Sequence, residues 1–536
     1  MPLQTTLQAS CIQVRDALQQ RREIALLDVR EEDPFAQAHP LFAANLPLSR
    51  IELDAAARIP RRNTPIVVYD DGEGLAEVAA RRLQGLGYSD VALLAGGLAG
   101  WRNAGGELFR DVNVPSKAFG ELVEAERHTP SLSAPDVKAL LDAKADVVVL
   151  DARRFDEYQT MNIPGSTSVP GAELVLRARA LAPDPKTQII VNCAGRTRSI
   201  IGTQSLVNAG VPNAVAALRN GTIGWTLAGQ VLETGAARRF GAVDAAQRNE
   251  AARAARAMAE RAGVGCAGLD ELRRWRAEPA RTTYVFDVRT PEEFTAGHLP
   301  GARSAPGGQL VQETDVFAPV RGARIVLVDD DDGVRASMTA SWLAQMGWDV
   351  HVLEGLAAAD FSETGDAPST AAEPRGPVEW VAPAQLAAWL KADPASTLVL
   401  DLTSSANHVK RHIAGAWWAL RSQLALAIRS RPPAERIVLT CGSSALARHA
   451  ALDLAEDATF AGRDIRVLKG GTAAWVAQAL PVDSGDSRLA SPRIDRYRRP
   501  YEGTDNAREA MQAYLDWEFG LVEQLGRDGT HGFRVI

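Results

Sequence analysis

Cys193 is the residue of this sequence whose type and position most clearly indicate chemistry. It directly follows the apolar run IIVN (189–192) and begins the segment CAGRTRS, which leads into a helix-like stretch. A cysteine between a strand and a helix lies at the positive end of the helix dipole, beside backbone N–H groups that stabilise an anion. Such surroundings lower a thiol pKa from about 8.5 by one to several units. We therefore expect Cys193 to be a nucleophilic thiolate that needs no separate base.

The residues after the cysteine supply the groups that would bind an anionic substrate. Backbone N–H groups would form a cradle, and the side chains of Arg196 and Arg198 would face the approaching reactant. Guanidinium groups pair bidentately with oxyanions, so the reactant should carry a sulfonate-like or carboxylate end. The predicted substrate-binding residues are Ala194, Gly195, Arg196, Thr197, Arg198 and Ser199.

This loop belongs to a sequence unit that is repeated along the chain. Four strand-like segments end in an aspartate, and each is followed by a second apolar strand and a loop. The aspartates are Asp28, Asp151, Asp287 and Asp401, and the loops begin near residues 70, 193, 330 and 441. Because both markers advance in nearly equal steps, they indicate four copies of one structural unit.

Each unit has the pattern of a small α/β domain. Apolar runs without alternation, such as VVVL and IIV, alternate with amphipathic helix-like segments, which is typical of parallel strands covered on both faces. Ligands of such sheets bind beyond the carboxyl ends of the strands, where Cys193 falls. The predicted fold is α/β, with four tandem doubly wound parallel-sheet domains and a C-terminal tail with a helix. The predicted boundaries are 5–112, 128–237, 262–362 and 378–485 for the domains and 486–536 for the tail.

Spaced markers in the second unit resemble the rhodanese superfamily. The pattern is a strand ending in D-x-R, a PGS or PGA turn, the loop C-x-x-x-x-R and the segment G-x-x-x-W. The matching residues are Asp151, Arg153, Pro164, Gly165, Cys193, Gly195, Arg198, Gly221 and Trp225. The resemblance extends over most of the chain and implies four rhodanese-like domains, of which the second is active.

This resemblance implies a thiosulfate sulfurtransferase. Cys193 would take the outer sulfur of thiosulfate, release sulfite, and pass the sulfur to cyanide or to a low-molecular-weight or protein thiol. The cradle that stabilises the thiolate could also hold the anionic end of the persulfide. Mercaptopyruvate is a less favoured donor, because relatives that use it resemble CGSGVT in this loop, with fewer cations.

Two other classes of function stay open. A rhodanese-like scaffold could use Cys193 as a redox sensor or as an acceptor of sulfur from a partner. A cysteine-dependent phosphatase is less favoured, because four residues separate Cys193 from Arg198 and phosphatase loops of this kind have five. A tighter ring suits one sulfur atom better than a phosphoryl group.

The corresponding loops of the other units differ from CAGRTRS. The first unit has Asp70 where Cys193 falls, and the third has Asp329 or Asp330, so neither can form a persulfide. The fourth unit has Cys441, a possible second thiol, but Leu446 replaces the loop arginine. We expect this unit to be inactive or to accept sulfur, and a relay from Cys193 to Cys441 stays open.

Two further groups of charged residues are interpreted as structural. Asp151 and Arg153 are expected to form a salt bridge that braces the loop, since D-x-R also occurs in units without the thiol. The acidic run from Asp329 to Asp332 is expected to be a solvated loop, so we predict no metal site and no cofactor.

Composition narrows the location and the partners. The 536 residues are 46% hydrophobic and 23% charged, with a net charge of −7 and no basic run, which argues against nucleic-acid binding. No signal-like or membrane-spanning stretch is evident, so we expect a cytoplasmic protein without membrane contact. The four cysteines are widely separated and are expected to be free thiols. Small-molecule sulfur donors and acceptors are the expected partners, and the sequence does not predict the oligomeric state.

Overall fold

Residues 7–536 are described by the structure, a computed structural model, and they form four α/β domains followed by a C-terminal tail. Numbered within each domain, the five main strands lie in the order 1-5-4-2-3, and neighbouring strands are parallel. The shared order shows that the sequence repeat is a repeat of one fold. The predicted fold class is confirmed.

The first domain and the helix that follows it contain these elements: β1 (Leu7–Ala9), α1 (Cys11–Gln19), β2 (Ile24–Asp28), α2 (Glu32–Gln37), β3 (Ala44–Asn45), α3 (Ile51–Arg58), β4 (Ile66–Tyr69), α4 (Leu75–Gly85), β5 (Val91–Leu94), α5 (Gly97–Asn103) and α6 (Val114–Arg127). The second domain and its following helix contain β6 (Ser131–Leu132), α7 (Ala134–Asp142), β7 (Val147–Asp151), α8 (Phe155–Thr160), β8 (Thr167–Ser168), α9 (Leu174–Leu181), β9 (Gln188–Asn192), α10 (Thr197–Asn208), β10 (Val215–Leu218), α11 (Gly221–Leu227) and α12 (Ala245–Ala262).

The third domain contains β11 (Gly265–Ala267), α13 (Leu269–Ala277), β12 (Thr283–Asp287), α14 (Pro291–Ala296), β13 (Arg303–Ser304), α15 (Gly307–Gln312), α16 (Thr314–Phe317), β14 (Val320–Arg321), β15 (Arg324–Val328), α17 (Val334–Gln345) and β16 (Asp349–Leu353). The fourth contains β17 (Glu379–Val381), α18 (Pro383–Ala392), β18 (Thr397–Asp401), α19 (Ser405–Lys410), β19 (His412–Ile413), β20 (Trp417–Trp418), α20 (Leu424–Arg429), β21 (Arg436–Thr440), α21 (Ala445–Glu456), β22 (Asp464–Leu468), α22 (Gly471–Ala477) and β23 (Val482–Asp483). The tail carries α23 (Arg508–Phe519) and α24 (Leu521–Asp528).

Strand β9, which leads to Cys193, shows why the apolar runs are continuous. Ile189 and Val191 pack on one face of the sheet, in a core that includes Leu206 of α10. Ile190 packs on the opposite face, in a core that includes Trp225 of α11. Since successive strand residues point to opposite faces, a strand covered on both sides is apolar at every position.

A buried ion pair braces the end of the sheet beneath Cys193. Asp151 accepts hydrogen bonds from the Arg153 side chain at 2.9 and 2.7 Å. The side chain of Asn192, the residue before Cys193, donates to the same carboxylate at 2.8 Å. Arg153 also donates to the carbonyl oxygen of Met161. The pair therefore ties the ends of β7 and β9 together.

The same brace recurs in the first and third domains and is replaced in the fourth. Asp28 pairs with Arg30, and Asp287 pairs with Arg289. In the fourth domain, where Thr403 takes the place of the arginine, Nδ1 of His408 lies 3.0 Å from Asp401. A buried carboxylate needs a partner, and the sequence pattern alone did not reveal this one.

Contacts between domains are polar as well as apolar. Strand β14 of the third domain pairs antiparallel with β2 and so extends the first sheet. Buried Arg335 binds Glu173 between the third and second domains, and Arg421 binds Glu52 between the fourth and first. Within residues 7–536, every helix is too short or too polar to span a bilayer.

The tail crosses the other domains. The N–H of Asp33 donates to the carbonyl oxygen of Ile494, and Leu521 and Leu525 are buried in the core of the first domain. The N–H of Arg534 donates to the carbonyl oxygen of Gln345 in the third domain. Between these attachments, α23 lies on the second domain.

Candidate active site

Residues 193–199, hereafter the thiol loop, connect β9 to α10. The carbonyl oxygens of Cys193 and Ala194 accept hydrogen bonds from the N–H groups of Thr222 and Ile223, both at 3.0 Å, in the first turn of α11. A trans peptide points its N–H opposite to its C=O, so the N–H groups of these two peptides point away from α11. Gly221 permits this close docking, because a Cβ at its φ of 53° would collide with the Cys193 carbonyl oxygen.

The Cys193 thiol is enclosed, with 2% of the residue exposed. Its Sγ–H donates to the Ser199 hydroxyl at 3.4 Å, and that hydroxyl donates to the Arg196 carbonyl oxygen at 2.8 Å. Burial raises the pKa of the thiol, while the charge of Arg198 and hydrogen bonds from the side chain and backbone of Ser199 act to lower it. The expectation of a lowered thiol pKa is therefore wrong for this structure. The sequence reveals the stabilising groups, but it does not reveal the desolvation that outweighs them.

Arg198 is the cation of the loop that acts on the thiol. Its guanidinium forms a two-pronged pair with Glu157 of α8, with N···O distances of 2.7 and 2.8 Å. Burial would raise the pKa of Glu157, but the Arg198 charge and hydrogen bond hold it at about 2. Arg198 thus carries a fixed charge beside the thiol, although one of its edges is occupied by a carboxylate.

Arg196 does not face a reactant as expected. Its guanidinium binds Glu121 at 2.7 and 2.8 Å and also Glu124, both on α6. The ring of Phe519 lies over it, with the guanidinium carbon 4.2 Å from the ring centre. Only 4% of Arg196 is exposed. This arginine links the thiol loop to α6 and α23, because these two helices supply its carboxylate and aromatic partners.

Helix α23 of the tail packs over the thiol loop. Met511, Tyr514 and Leu515 form one apolar cluster with Ile223 of α11. A Cβ built on Gly195 would lie 3.1 Å from the Tyr514 ring and 3.3 Å from Oε2 of Glu518. The glycine therefore allows α23 to pack closely against the thiol loop.

Glu518 is a site residue that the sequence did not indicate. It is fully buried, its Oε1 accepts a 2.7 Å hydrogen bond from the Tyr514 hydroxyl, and its Oε2 has no hydrogen-bond partner among residues 7–536. Burial and the neighbouring Glu121 raise the pKa of this carboxyl to about 8, against the lowering effects of Lys117, Tyr514 and Arg196. Ionised Glu518 in turn raises the pKa of the thiol.

Glu518→Gln should change the pH dependence of the reaction of Cys193. Because the thiol pKa is raised, the rate of any thiolate reaction should increase about tenfold per pH unit across neutrality. Above pH about 8, ionised Glu518 should flatten that increase, and the glutamine variant should stay several-fold faster at pH 9. Rates of thiol alkylation or sulfur uptake from pH 6 to 10 would test this. The exposed Glu523→Gln is the control, and identical profiles for both variants would contradict it.

In the first domain, the loop that corresponds to the thiol loop binds a carboxylate of its own chain. Asp70 occupies the position of Cys193, and its Oδ2 accepts the N–H groups of Leu75 and Ala76 at 2.5 and 3.0 Å. Its Oδ1 accepts the N–H of Gly72 at 3.1 Å. The loop of this domain therefore holds an anion that belongs to the chain itself.

The third domain uses the same arrangement with Asp329, which settles the alignment left open by the sequence. Oδ2 of Asp329 accepts the N–H of Ala336 at 2.9 Å, and Arg335 binds Oδ1 at 2.9 Å. Asp329, Asp330 and Asp332 lie close enough to share an ion, but Arg335 and Arg248 pair with them. These arginines supply the positive charge that the acidic cluster needs.

The fourth domain keeps a thiol in an apolar loop. Cys441 is 5% exposed and shares a core cluster with Leu446, which stands where Arg198 stands in the second domain. Ser444 has a φ of 85°, and its hydroxyl donates to the Leu468 carbonyl oxygen. The loop itself brings no cation to this thiol, but Arg50 of the first domain interacts with it: the charge of Cys441 is among the causes that raise the pKa of Arg50. All four cysteines are free, as expected.

The fold and the thiol loop define a class of repeat protein with four α/β domains, one of which combines a cysteine with an arginine in the loop after its fourth strand. Comparison with known proteins identifies the family: the model of the rhodanese-like domain matches residues 12–104, 133–228, 269–356 and 382–478. The chain therefore belongs to the rhodanese-like family, and the resemblance is confirmed.

Two relatives differ in how much of the chain they match. A thiosulfate sulfurtransferase from Pseudomonas aeruginosa is 69% identical, with a TM-score of 0.96, and the match covers 99% of this chain and 100% of that one. An uncharacterised protein of Synechocystis sp. is 31% identical over 98 residues. That match covers 18% of this chain and about half (54%) of the relative.

Proposed function

We propose that the protein is a sulfurtransferase that carries sulfane sulfur as a persulfide on Cys193, with thiosulfate as the donor. The Pseudomonas aeruginosa thiosulfate sulfurtransferase, similar over its whole length, supports the activity. Among the four loops, the second is the one that combines a thiol, Cys193, with an arginine five positions later, Arg198. The first and third lack the thiol, and the fourth lacks the arginine.

The observation that carries this proposal is the carboxylate of Asp70. The atoms Cβ, Cγ and Oδ of an aspartate correspond in connectivity to Cβ, Sγ and the outer sulfur of a cysteine persulfide. Oδ2 of Asp70 therefore marks the expected position of the outer sulfur in the second domain. The N–H donors equivalent to those of Leu75 and Ala76 belong to Arg198 and Ser199. An anion at this point would be held by preorganised donors.

The transfer follows from this arrangement in two displacement steps. The Cys193 thiolate attacks the outer sulfur of thiosulfate, the sulfur–sulfur bond of the donor breaks, and sulfite leaves with the electron pair. An acceptor such as cyanide or a thiolate then attacks the outer sulfur of the persulfide and releases Cys193 as a thiolate. No external oxidant or reductant is needed.

Enclosure of the thiol fits an intermediate that must not react with water or stray thiols. Helix α23 packs over the thiol loop and excludes solvent from it. The exclusion of solvent strengthens the interactions of the anion with the N–H donors and Arg198. The raised pKa of the free thiol is the corresponding disadvantage, since the first step needs the thiolate. Arg198 and Ser199 reduce that disadvantage.

The direct test is the mass of the protein after treatment with thiosulfate and removal of the excess. We expect a gain of one sulfur atom that maps to the peptide containing Cys193 and is lost on adding cyanide. The Cys193→Ser variant should gain none. Sulfur on Cys441 that is still taken up by the Cys193→Ser variant, or no sulfur on either peptide, would refute the assignment.

A further inference from the structure

Two arginines, Arg21 and Arg321, lie side by side where the first domain, the third domain and the tail meet, hereafter the arginine pair. Arg21 follows α1 of the first domain, and Arg321 belongs to β14, the strand of the third domain that extends the first sheet. Neither forms an ion pair with another residue in the range 7–536. Their hydrogen-bond acceptors are main-chain carbonyl oxygens, that of Gly532 for Arg21 and that of Met346 for Arg321.

The two guanidinium groups converge on one point of the surface. A Cβ built on Gly347 would lie 3.5 Å from Nη2 of Arg321, 3.9 Å from Nη2 of Arg21 and 3.5 Å from the carbonyl oxygen of Gly532. Gly347 has a φ of 83°, which favours glycine, so the point carries no side chain. Nε and Nη1 of Arg321 have no hydrogen-bond partner among residues 7–536 and are open to solvent. The arginine pair therefore offers free N–H donors to a ligand.

Aromatic rings fix the position of one member of the arginine pair. The guanidinium carbon of Arg321 lies 4.1 Å from the ring centre of Phe42 and 4.2 Å from that of Trp348. Both rings are buried and belong to the first and third domains. Such contacts attract a cation, but the rings have no net charge. The guanidinium of Arg321 is thus held in place while its charge has no anionic partner.

The electrostatic surroundings of Arg321 differ from those of the other arginines between domains. Burial lowers the pKa of Arg321, and the charge of Arg21 lowers it further. Burial acts in the same direction on Arg335 and Arg421, but neighbouring carboxylates raise the pKa of both. A partly buried cation beside a second cation is unfavourable. An anion in contact with both guanidinium groups would remove this repulsion, and oxyanions match the forked geometry of their N–H donors.

We propose that the arginine pair binds a tetrahedral oxyanion with two negative charges, such as sulfate or a phosphoryl group. Two positive charges without a carboxylate match two negative charges on the ligand. The site is separate from the thiol loop. Arg21 already contacts the tail at Gly532, and the ring of Phe533 packs against Phe42 with 6.0 Å between ring centres. The bound oxyanion therefore links the first and third domains beside the end of the tail and stabilises their junction.

Calorimetric titration of the full-length protein with sulfate at low ionic strength tests the proposal. We expect binding in the millimolar range, and about tenfold weaker binding to Arg21→Gln, which loses one charged donor. Arg21 is exposed, so this variant should fold normally. Arg102→Gln, an exposed arginine on α5, is the matched control and should bind as the wild type does. Equal affinities of the wild type and Arg21→Gln would overturn the proposal.

A second variant separates the arginine pair from the thiol loop as the place of binding. Arg198→Met should bind sulfate as tightly as the wild type does, and loss of binding in this variant alone would overturn the proposal. Phenyl phosphate distinguishes the sources of the oxyanion. Affinity equal to that of sulfate indicates a free inorganic anion, whereas binding at least about tenfold tighter indicates the phosphoryl group of an organic molecule.

Thermal unfolding measures the effect on the junction. Sulfate stabilises many proteins by exclusion from their surface, so the comparison is between variants at the same sulfate concentration. Replacing chloride by sulfate at equal ionic strength should raise the unfolding temperature of the wild type more than that of Arg21→Gln, because bound ligand stabilises the folded state. Equal increases in the two proteins would show that sulfate does not bind at the arginine pair.

Discussion

Replacing Cys193 by serine should reduce the formation of thiocyanate from thiosulfate and cyanide at least about 1000-fold. A serine hydroxyl has the size of the thiol but cannot form a persulfide, and removal of a covalent nucleophile has effects of this order or larger. Because Ser199 and the backbone donors stay in place, the variant should keep its fold. Initial rates at saturating cyanide, together with thermal unfolding of both proteins, would measure the two effects.

Cys441→Ser is the matched control for this experiment. Cys441 lies at the same point of the same fold, after β21, but beside Leu446 instead of an arginine. We expect this variant to keep more than about half of the wild-type rate, since an apolar loop holds an anion poorly. Equal losses in the two variants would indicate the relay from Cys193 to Cys441. Loss of the thiocyanate-forming activity in Cys441→Ser alone would assign the active site to the fourth domain.

The elements around the thiol loop could be predicted because their signals are local. The steric and burial requirements of a single unit determine each of them: the apolar run of β9, the Asp151–Arg153 pair, and Gly221 four residues before Trp225. The fourfold repeat adds evidence, since it shows the same strand ends at matching positions. The position of Cys193 after β9 followed from these signals.

The surroundings of the thiol depend on contacts that are distant in the sequence. Arg196 is paired with Glu121 across 75 residues, and α23 reaches the loop from more than 300 residues away. The loop sequence CAGRTRS shows the donors, but it does not show that Glu518 lies above Gly195. The direction of the thiol pKa was therefore wrong, because it depends on burial of the thiol, which the loop sequence does not show.

The aspartates of the first and third domains show a different limit of sequence interpretation. Loss of the thiol predicts loss of persulfide chemistry, but the sequence does not indicate what Asp70 and Asp329 bind in its place. The structure shows that their carboxylates accept the N–H groups of their own loops. A buried ring of N–H donors is costly if left without a partner, and a carboxylate meets that need permanently. In the second domain, under the function proposed above, the anion is instead the outer sulfur of the persulfide.

Arg198→Met should reduce kcat/KM for thiosulfate by about 100-fold. The guanidinium is the fixed positive charge beside the thiol, and removing one such preorganised donor commonly costs two to three orders of magnitude in rate. The variant also removes the closer of the two arginine partners of Glu157, which keeps only Arg154 at 3.5 Å, so part of the effect is structural. The rate of sulfite release under single-turnover conditions isolates the step in which the donor anion is consumed.

The double variant Arg198→Met with Glu157→Gln separates charge from structure. It removes the carboxylate that has lost Arg198, so the unfolding temperature should return towards the wild-type value while sulfite release stays low. Arg198→Lys keeps the charge but loses the two-pronged geometry and should be intermediate. If the double variant regained the wild-type rate, Arg198 would serve only to neutralise Glu157. The thiosulfate anion would then be bound by the N–H donors of the thiol loop alone, as the carboxylate of Asp70 is in the first domain.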